Sequence, residues 1–336
     1  MKSRTSALSW LAVMSILTGA ATIVQGETRV SLLERPVPAL DSLARDEYGQ
    51  LARYGHELAT RTFAHIGPEV KNRKMRYAGN NLACSSCHAD AATRPYAMPW
   101  VGVTATFPQY RGREDDLSTV EERINGCMQR SMAGKPLPLD SREMKALMTY
   151  MHFLSRDIPV GASIEGSGTK GSKPPNRRAD LAAGESVYKN QCAACHGEDG
   201  AGRRAGVKGD AQGYLFPPVW GMDSFNTGAG MNRILMAMRF IKHNMPQGTT
   251  HAATALSDEE AFDVAGYIVS KPRPQKTGLD RDFPARWNKP IDAAFPPYAD
   301  GAPADQHKYG PFPPLAEKAR QLAAERQKQQ ASTAGK

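Results

Sequence analysis

The segment Asn81-Leu-Ala-Cys84-Ser-Ser-Cys87-His88 recurs further along the chain as Gln191-Cys192-Ala-Ala-Cys195-His196. Each copy follows a predicted helix, over about 42–66 and 181–190 respectively, and each precedes a long loop and further helices. The same order of elements, met twice, indicates two copies of one small domain. The sequence therefore predicts an all-α fold of two tandem domains with long loops.

The Cys-x-x-Cys-His motif is the attachment signature of c-type haem, in which two thiols form thioethers with the haem vinyl groups and the histidine binds iron. One copy alone would also suit half of a zinc site or a redox dithiol. Two copies, each after a helix in an exported chain, favour two covalently bound haem c groups and two cytochrome c-type domains. The predicted haem-binding residues are Cys84, Cys87 and His88 for the first haem and Cys192, Cys195 and His196 for the second.

The length of 336 residues fits two domains on the usual prior of roughly 100–200 residues each. The predicted first domain covers 27–158 and the second 179–274. Between them, 159–178 is rich in Gly, Ser, Lys and Pro without apolar periodicity and predicts a flexible linker. The remaining residues, 275–336, are rich in Pro and charge and predict an extended tail with a disordered end.

Residues 1–26 have the features of a cleaved export signal. They begin with positive charge, continue as an apolar run from about Ala7 to Val24, and end in a small-residue cleavage site at Gly26. The alternative is an uncleaved anchor, since the run is nearly long enough to cross a bilayer, but its Ser, Thr and Gly residues weaken that interpretation. No other stretch of the sequence could span a membrane. We therefore expect a periplasmic protein without integral membrane association.

The composition favours anionic ligands. The formal charge is +9 and the pI about 9.3, and loss of the signal would remove Lys2 and Arg4. Neither a nucleic-acid-binding motif nor Arg/Lys clusters interleaved with aromatics are present, which argues against nucleic acid as a partner.

Each iron has a sixth position, and Met245 is the predicted ligand in the second half. It precedes Pro246 and the last predicted helix, where a small cytochrome c presents its distal methionine. The alternatives are His243, Met222 and Met231, with Met245 then serving only in loop packing. Haem iron bound by His and Met has a raised potential, which suits electron transfer.

In the first half the corresponding place is taken by Cys127, the cysteine that the two motifs leave over. A thiolate ligand pushes electron density onto iron and lowers its potential. Cys127 could instead be a small buried apolar residue, a common fate of free cysteines. Met98 would then be the expected ligand, with Met128 and Met132 as weaker candidates.

Polar and charged side chains surround Cys127 in sequence. Arg123 and Ser131 lie four residues to either side of it, on one face if the segment is helical. Arg113 and Arg130 add positive charge, which favours the thiolate. A thiol between a guanidinium and a hydroxyl suits an anionic, sulfur-containing substrate, although each arginine singly also fits a solvated helix face. The glycine directly before the cysteine is a position at which such a helix could break.

Several stretches resemble the dihaem thiosulfate dehydrogenases. These stretches are Asn81-Leu-Ala-Cys-Ser-Ser-Cys-His88, Pro99-Trp-Val-Gly-Val103, Arg123-Ile-Asn-Gly-Cys-Met-Gln-Arg-Ser131, Asn244-Met-Pro-Gln-Gly248 and Leu256-Ser-Asp-Glu-Glu-Ala-Phe-Asp-Val-Ala-Gly-Tyr-Ile268. The similarity extends over about 43–274. It implies an enzyme that couples two thiosulfates into tetrathionate, in some members reversibly. The two electrons would leave through the second haem to an acceptor such as a small cytochrome c.

The resemblance also implies roles for single residues. The implied axial ligands are His88 and Cys127 for the active-site haem and His196 and Met245 for the electron-exit haem. The implied residues of the thiosulfate site are Arg113, Arg123 and Ser131. Some relatives have a lysine where Asn244 stands, able to compete with the methionine for iron. Asparagine cannot take that role, so constant His/Met ligation is expected here.

Three other functions stay open on the sequence. A non-catalytic dihaem electron carrier would have Met98 rather than Cys127 on iron. A sulfur-oxidation cytochrome would load thiosulfate onto a cysteine of a carrier protein and release no tetrathionate. A dihaem peroxidase would need a vacant or displaceable distal position and would leave Cys127 without a role.

Overall fold

The computed structural model describes residues 28–334, and the predicted export signal lies outside this part of the chain. The first half contains the helices α1 (Glu47–Thr60), α2 (Thr62–His65), α3 (Ala89–Ala92), α4 (Val103–Thr106), α5 (Val120–Arg130) and α6 (Arg142–Ser155). The second half contains α7 (Leu181–Gln191), α8 (Ala193–His196), α9 (Ile234–Asn244) and α10 (Asp258–Ser270). Two helices follow in the C-terminal segment, α11 (Ala304–Tyr309) and α12 (Pro313–Ala334).

Only short strands accompany these helices in the described residues, and they form three two-stranded pairs. The strands are β1 (Arg29–Ser31), β2 (Gln109–Arg111), β3 (Asp116–Ser118), β4 (Ser163–Glu165), β5 (Arg203–Arg204) and β6 (Tyr214–Phe216). The pair β2 and β3 is an antiparallel hairpin that leads into α5. The predicted all-α architecture is therefore confirmed.

In each half the first helix crosses the last one at a glycine. Gly55 of α1 lies against the backbone of Ala146 in α6, where an added Cβ would come within 2.1 Å of the carbonyl oxygen. At Gly184 of α7, an added Cβ would likewise come within 2.1 Å of the carbonyl oxygen of Asp263 in α10. Each crossing adjoins a separate apolar core, one of which includes Leu58 and the other residues of α10. The two halves thus repeat one helix arrangement, as the tandem interpretation requires.

The segment 159–178 differs from the flexible linker that its composition predicts. Its strand β4 pairs in parallel with β1 near the start of the described chain. The Tyr96 amide donates to the Gly166 carbonyl over 2.6 Å, and the Met98 amide donates to the Gly168 carbonyl over 2.8 Å. Composition could not show that a backbone partner for this segment was available.

The C-terminal segment also differs from the extended tail expected, because it forms two helices and packs into the protein. Phe312 and Leu315 are each 2% exposed and belong to the core of the second half. The buried carboxylate of Asp292 binds the Arg233 side chain at 2.6 Å, immediately before α9. The segment therefore contributes to the interior of the protein.

The halves also contact each other directly. The Asn80 side-chain amide donates to the carbonyls of Ser131 and Ser224, over 2.9 and 3.1 Å. The Asn226 side-chain amide donates to the Gln129 carbonyl over 2.9 Å. These bonds connect the end of α5 to the loop before α9. Across residues 28–334, no helix combines the length and apolar character needed to cross a membrane.

The glycine crossing generates a prediction about stability. In an open helix, Gly→Ala stabilises by roughly 0.5–1 kcal/mol. Gly184→Ala should instead lower the midpoint of thermal unfolding of the holoprotein, because the new methyl overlaps the Asp263 carbonyl. The matched control is Gly126→Ala in α5, where the nearest atom to the added Cβ lies at 3.9 Å and the midpoint should not fall. A rise in both variants would contradict the close crossing.

Candidate haem sites and the cysteine–arginine centre

A cavity of about 470 Å³ lies beside the second Cys-x-x-Cys-His motif. Cys192, Cys195 and His196 line it, together with apolar residues of α9 and α10. The Nδ1 atom of His196 donates to the Pro217 carbonyl over 2.8 Å, which fixes the tautomer and leaves Nε2 free to bind a metal. Burial lowers the pKa of His196, which favours the neutral form that ligates iron.

Among the predicted sixth ligands of the second site, Met245 and Met231 line the cavity. His243 is turned away, since its Nε2 is within 3.1 Å of the Ser172 hydroxyl in the segment before the second half. Met222 is 74% exposed. Met245 directly follows α9, in agreement with the position expected of a distal methionine.

The wall of this cavity also includes residues of the first motif. Ser85, Ser86 and Cys87 line it, as does Ala89 directly after His88. The chain that attaches the first predicted haem is thus one side of the space for the second. The first motif therefore borders the cavity of the second.

Cys127 lies on α5, which begins at a capping box. The Thr119 side chain accepts from the Glu122 amide over 3.3 Å, and the Glu122 carboxylate accepts from the Thr119 amide over 2.8 Å. The helix continues through Gly126 without a break, so residues four apart share a face. As a result, Arg123 Nη1 donates to the Cys127 sulfur over 2.8 Å.

The charges around Cys127 favour its thiolate. Removal from bulk water would by itself raise the pKa of the thiol, but the Arg123 charge and a hydrogen bond with His88 outweigh it and lower the pKa to about 6. Burial raises the pKa of the motif cysteines, to about 11 for Cys84 and about 12 for Cys87, and the nearby Cys127 charge adds to both shifts. The pKa of the Cys127 thiol is therefore lowered, whereas the pKa values of the Cys84 and Cys87 thiols are raised.

His88 belongs to the same cluster and faces Cys127 within hydrogen-bonding reach. Its Nδ1 donates to the Met98 carbonyl, so Nε2 is the atom available to a metal. Because Met98 supports the ring of His88 through its backbone, it lies on the histidine side of the site. Met128 and Met132 are 2% and 3% exposed and belong to the apolar core. Of the predicted candidates, Cys127 is the donor that faces His88.

Arg113 joins the site through a residue that the sequence analysis missed. Asp282 of the C-terminal segment binds both Arg113 and Arg130, the latter at 2.7 Å. The guanidinium of Arg113 also lies 4.8 Å from the centre of the Phe283 ring. Burial lowers the pKa of Arg113 to about 10, with Arg130 adding to the effect and Asp282 opposing it.

Ser131 caps the C-terminal end of α5, one turn beyond Cys127, and its carbonyl accepts from Asn80. The structure therefore brings Arg123, Cys127 and His88 together directly. Arg113 belongs to an adjoining group around Asp282.

The donor sets at both motifs fit haem c. Each has two unpaired thiols at the required spacing and a histidine whose Nδ1 is already bonded to a carbonyl. His196 and Met245 would hold the second iron and His88 and Cys127 the first. The cavity at the second motif falls within the roughly 300–1,000 Å³ usual for cofactor sites.

Comparisons with known proteins agree with two cytochrome c domains. Residues 74–160 match the family model "SoxA/TsdA, cytochrome c domain", and residues 179–268 match "Cytochrome C oxidase, cbb3-type, subunit III". The chain is 47% identical over 203 residues to a thiosulfate dehydrogenase of Allochromatium vinosum, covering 59% of this chain and 72% of the relative. It is 36% identical over 272 residues to one of Psychrobacter arcticus, covering 81% of this chain and 76% of the relative.

Among solved structures, thiosulfate dehydrogenase TsdBA from Marichromatium purpuratum in its as-isolated form superposes with a TM-score of 0.65 at 33% identity. The match covers 73% of this chain and 51% of that one, so this chain spans about half of the larger protein. Two tandem cytochrome c domains define a c-type cytochrome, a class that binds haem covalently through Cys-x-x-Cys-His. The chain belongs to the thiosulfate dehydrogenase family, as its sequence motifs predicted.

The Asp282 bridge generates a second prediction. Asp282→Asn should lower the free energy of unfolding by about 3–5 kcal/mol, because it leaves two arginines that are 12% and 16% exposed without a counter-charge. Urea denaturation of the holoprotein measures the change. The control is Asp305→Asn in the same C-terminal segment, whose partner Arg178 is 47% exposed and whose loss should cost less than about 1 kcal/mol. Equal losses in the two variants would mean that the Asp282 bridge is a surface ion pair.

Proposed function

We propose that this protein is a periplasmic dihaem thiosulfate dehydrogenase that couples two thiosulfates into tetrathionate. The observation that carries the proposal is the Arg123–Cys127 pair facing His88. A thiolate held by a guanidinium, opposite a histidine of a haem-attachment motif, provides both a reactive sulfur and an outlet for electrons. The family membership supports the same activity.

Electrostatics supports thiosulfate as the substrate. Two dianions must approach each other before a sulfur–sulfur bond forms, and their repulsion is a large part of the barrier. Arg123 stands at the thiolate, and Arg113 and Arg130 adjoin it with Asp282 as their shared counter-ion. Guanidinium groups fixed in this way offset the repulsion without reorganising during the reaction.

The coupling proceeds through Cys127. Its thiolate forms a bond to the sulfane sulfur of the first thiosulfate, and this step releases two electrons. The sulfane sulfur of the second thiosulfate then attacks the sulfane sulfur bound to the cysteine, as in thiol–disulfide exchange. Tetrathionate leaves and the Cys127 thiolate is regenerated. The balance is two thiosulfates in, and one tetrathionate and two electrons out.

The electrons leave through the second half of the protein. When bound, the two haems store one electron each and pass them on. The first motif forms part of the wall of the second cavity, so the intervening protein is thin. Haem held by His88 and Cys127 would have a lower potential than haem held by His196 and Met245, and this difference would give electron transfer its direction. A small acceptor cytochrome c then removes the electrons, and the reverse reaction is available when tetrathionate and reductant are in excess.

The third prediction concerns Cys127. Cys127→Met should retain both haems, whose attachment uses other cysteines, and should abolish thiosulfate-dependent ferricyanide reduction, because the thioether cannot form the covalent intermediate. Spectra of the purified variant measure haem content alongside the rate. Met128→Leu, a volume-conserving change at the next core position, should keep most activity. Full activity of Cys127→Met would refute the covalent role.

A fourth prediction concerns Arg123. Arg123→Gln should lower kcat/KM for thiosulfate by about 10²–10³, the usual loss when one preorganised electrostatic donor is removed. The control is Arg142→Gln, an exposed arginine over the Tyr54 ring on the first half, which should leave kcat/KM within about two-fold. Steady-state kinetics with ferricyanide give both values. If kcat/KM for thiosulfate were unchanged in Arg123→Gln, Arg123 would not be part of the substrate site.

Direct product analysis separates the proposed activity from its rivals. Purified holoprotein with thiosulfate and ferricyanide should yield one tetrathionate per two ferricyanides reduced. A non-catalytic electron carrier would reduce ferricyanide only when supplied with an electron donor other than thiosulfate. A thiosulfate-loading cytochrome would instead modify a cysteine on a second protein and accumulate no tetrathionate.

A further inference from the structure

Arg273 lies three residues beyond the end of α10. Its guanidinium is buried, and its N–H groups are only partly hydrogen-bonded. The residue is 4% exposed. Its Nη2 donates to the Ile268 carbonyl over 2.7 Å. Within the described residues, its Nε and Nη1 have no hydrogen-bond partner. A buried arginine that makes one bond to a neutral carbonyl still needs an anion.

The partly buried Arg113 and Arg233 each have one. Arg113 binds Asp282, and Arg233 binds Asp292. For Arg273, burial alone lowers the pKa, to about 10, with no carboxylate opposing it. An uncompensated buried charge costs several kcal/mol, so the site is incomplete without a negatively charged group.

The surroundings of Arg273 indicate where that group comes from. Its guanidinium lies 4.3 Å from the centre of the Phe225 ring. Phe225 and Ile268 both line the 470 Å³ cavity that contains His196 and Met245. The two residues that contact the guanidinium are therefore walls of the second haem site.

We propose that Arg273 binds a propionate carboxylate of the second haem with one of its two unpaired donors, Nε or Nη1. Thioether attachment consumes only the vinyl groups of haem, so both propionates stay available as anions. A hydrogen bond from a guanidinium to a carboxylate is charge-assisted and stronger than one between neutral groups. This inference rests on the proposed haem attachment at Cys192 and Cys195 and adds a residue to it.

The pairing has a functional consequence. A positive charge next to the propionate offsets its negative charge near the iron and favours the reduced state, which raises the potential of the second haem. Arg273 would thus help to draw electrons from the first haem. It acts as a positioning and tuning residue and takes no part in the sulfur chemistry.

A free anion is the competing occupant. Arg273 itself lines a more open pocket of about 340 Å³, together with Lys271 and Lys308, and borders the haem cavity through Phe225 and Ile268. The stacking on Phe225 and the bond to Ile268 direct the inference to the haem cavity, and the experiment includes the free anion as an outcome.

The test compares Arg273→Gln, Arg273→Lys and a matched control in the holoprotein. Redox titration with spectral resolution of the two haems measures each midpoint potential, and resonance Raman follows the propionate bending band. In Arg273→Gln the potential of the second haem should fall and its propionate band should shift, while the first haem is unchanged. Arg273→Lys should restore part of the potential, because it keeps the charge but loses the planar guanidinium.

The control is Arg177→Gln in the same half. Arg177 binds Asp263 at 2.7 Å and lies over the Phe262 ring, and neither of these partners lines the cavity. The change should lower thermal stability but leave both potentials and the propionate band unaltered. If the potential of the second haem fell similarly in Arg177→Gln, the Arg273 effect would be explained by general destabilisation. This result would overturn the proposal.

Each remaining outcome is decisive. Unchanged potential and propionate band in Arg273→Gln would overturn the inference. In another outcome, the second-haem potential of the wild-type protein varies with added sulfate and Arg273→Gln shows no shift of the propionate band. Arg273 would then bind a free anion, and the inference would be overturned too. If Arg273→Gln does not accumulate, the propionate band of Arg273→Lys decides in the same way. Absence of the second haem from the wild-type protein would instead contradict the proposed function itself.

Discussion

The contact between the Arg123 guanidinium and the Cys127 sulfur is the interaction around which the first half is arranged. A thiolate inside a protein needs a positive partner, and a partner on the same helix one turn away is held there by the backbone itself. The capping box at Thr119 and the unbroken path through Gly126 secure that turn. The histidine that faces the sulfur comes from a separate loop, so packing of the whole half fixes the distance between the two donors.

Residues close in sequence were the predictable part of this protein. The two haem-attachment motifs, the tandem repeat of helices and the pairing of Arg123 with Cys127 all depend on short spacings. The residue that caps α5 is not evident from the sequence, since Ser118 and Thr119 are both suitable caps, and Thr119 takes this role because Ser118 belongs to β3.

Long-range partners could not be predicted in this way. Asp282 is separated by 152 residues from Arg130, and the composition around it suggests an irregular tail. The segment 159–178 has the composition of a flexible linker, yet its β4 pairs with β1. For Arg273, the informative feature is that Nε and Nη1 lack hydrogen-bond partners within the described residues. The sequence cannot show this, because it depends on how the surrounding residues pack.

The bridge from Asp282 to Arg113 and Arg130 also bears on how the protein matures. The first motif and both arginines are synthesised well before residue 282, so the arginines have no Asp282 counter-ion until the C-terminal segment has been made. The two arginines reach their native pairing only when the C-terminal segment has folded back onto the first half. A chain that ends before Asp282 would keep both attachment motifs and Cys127 and lack the counter-ion of the neighbouring arginines.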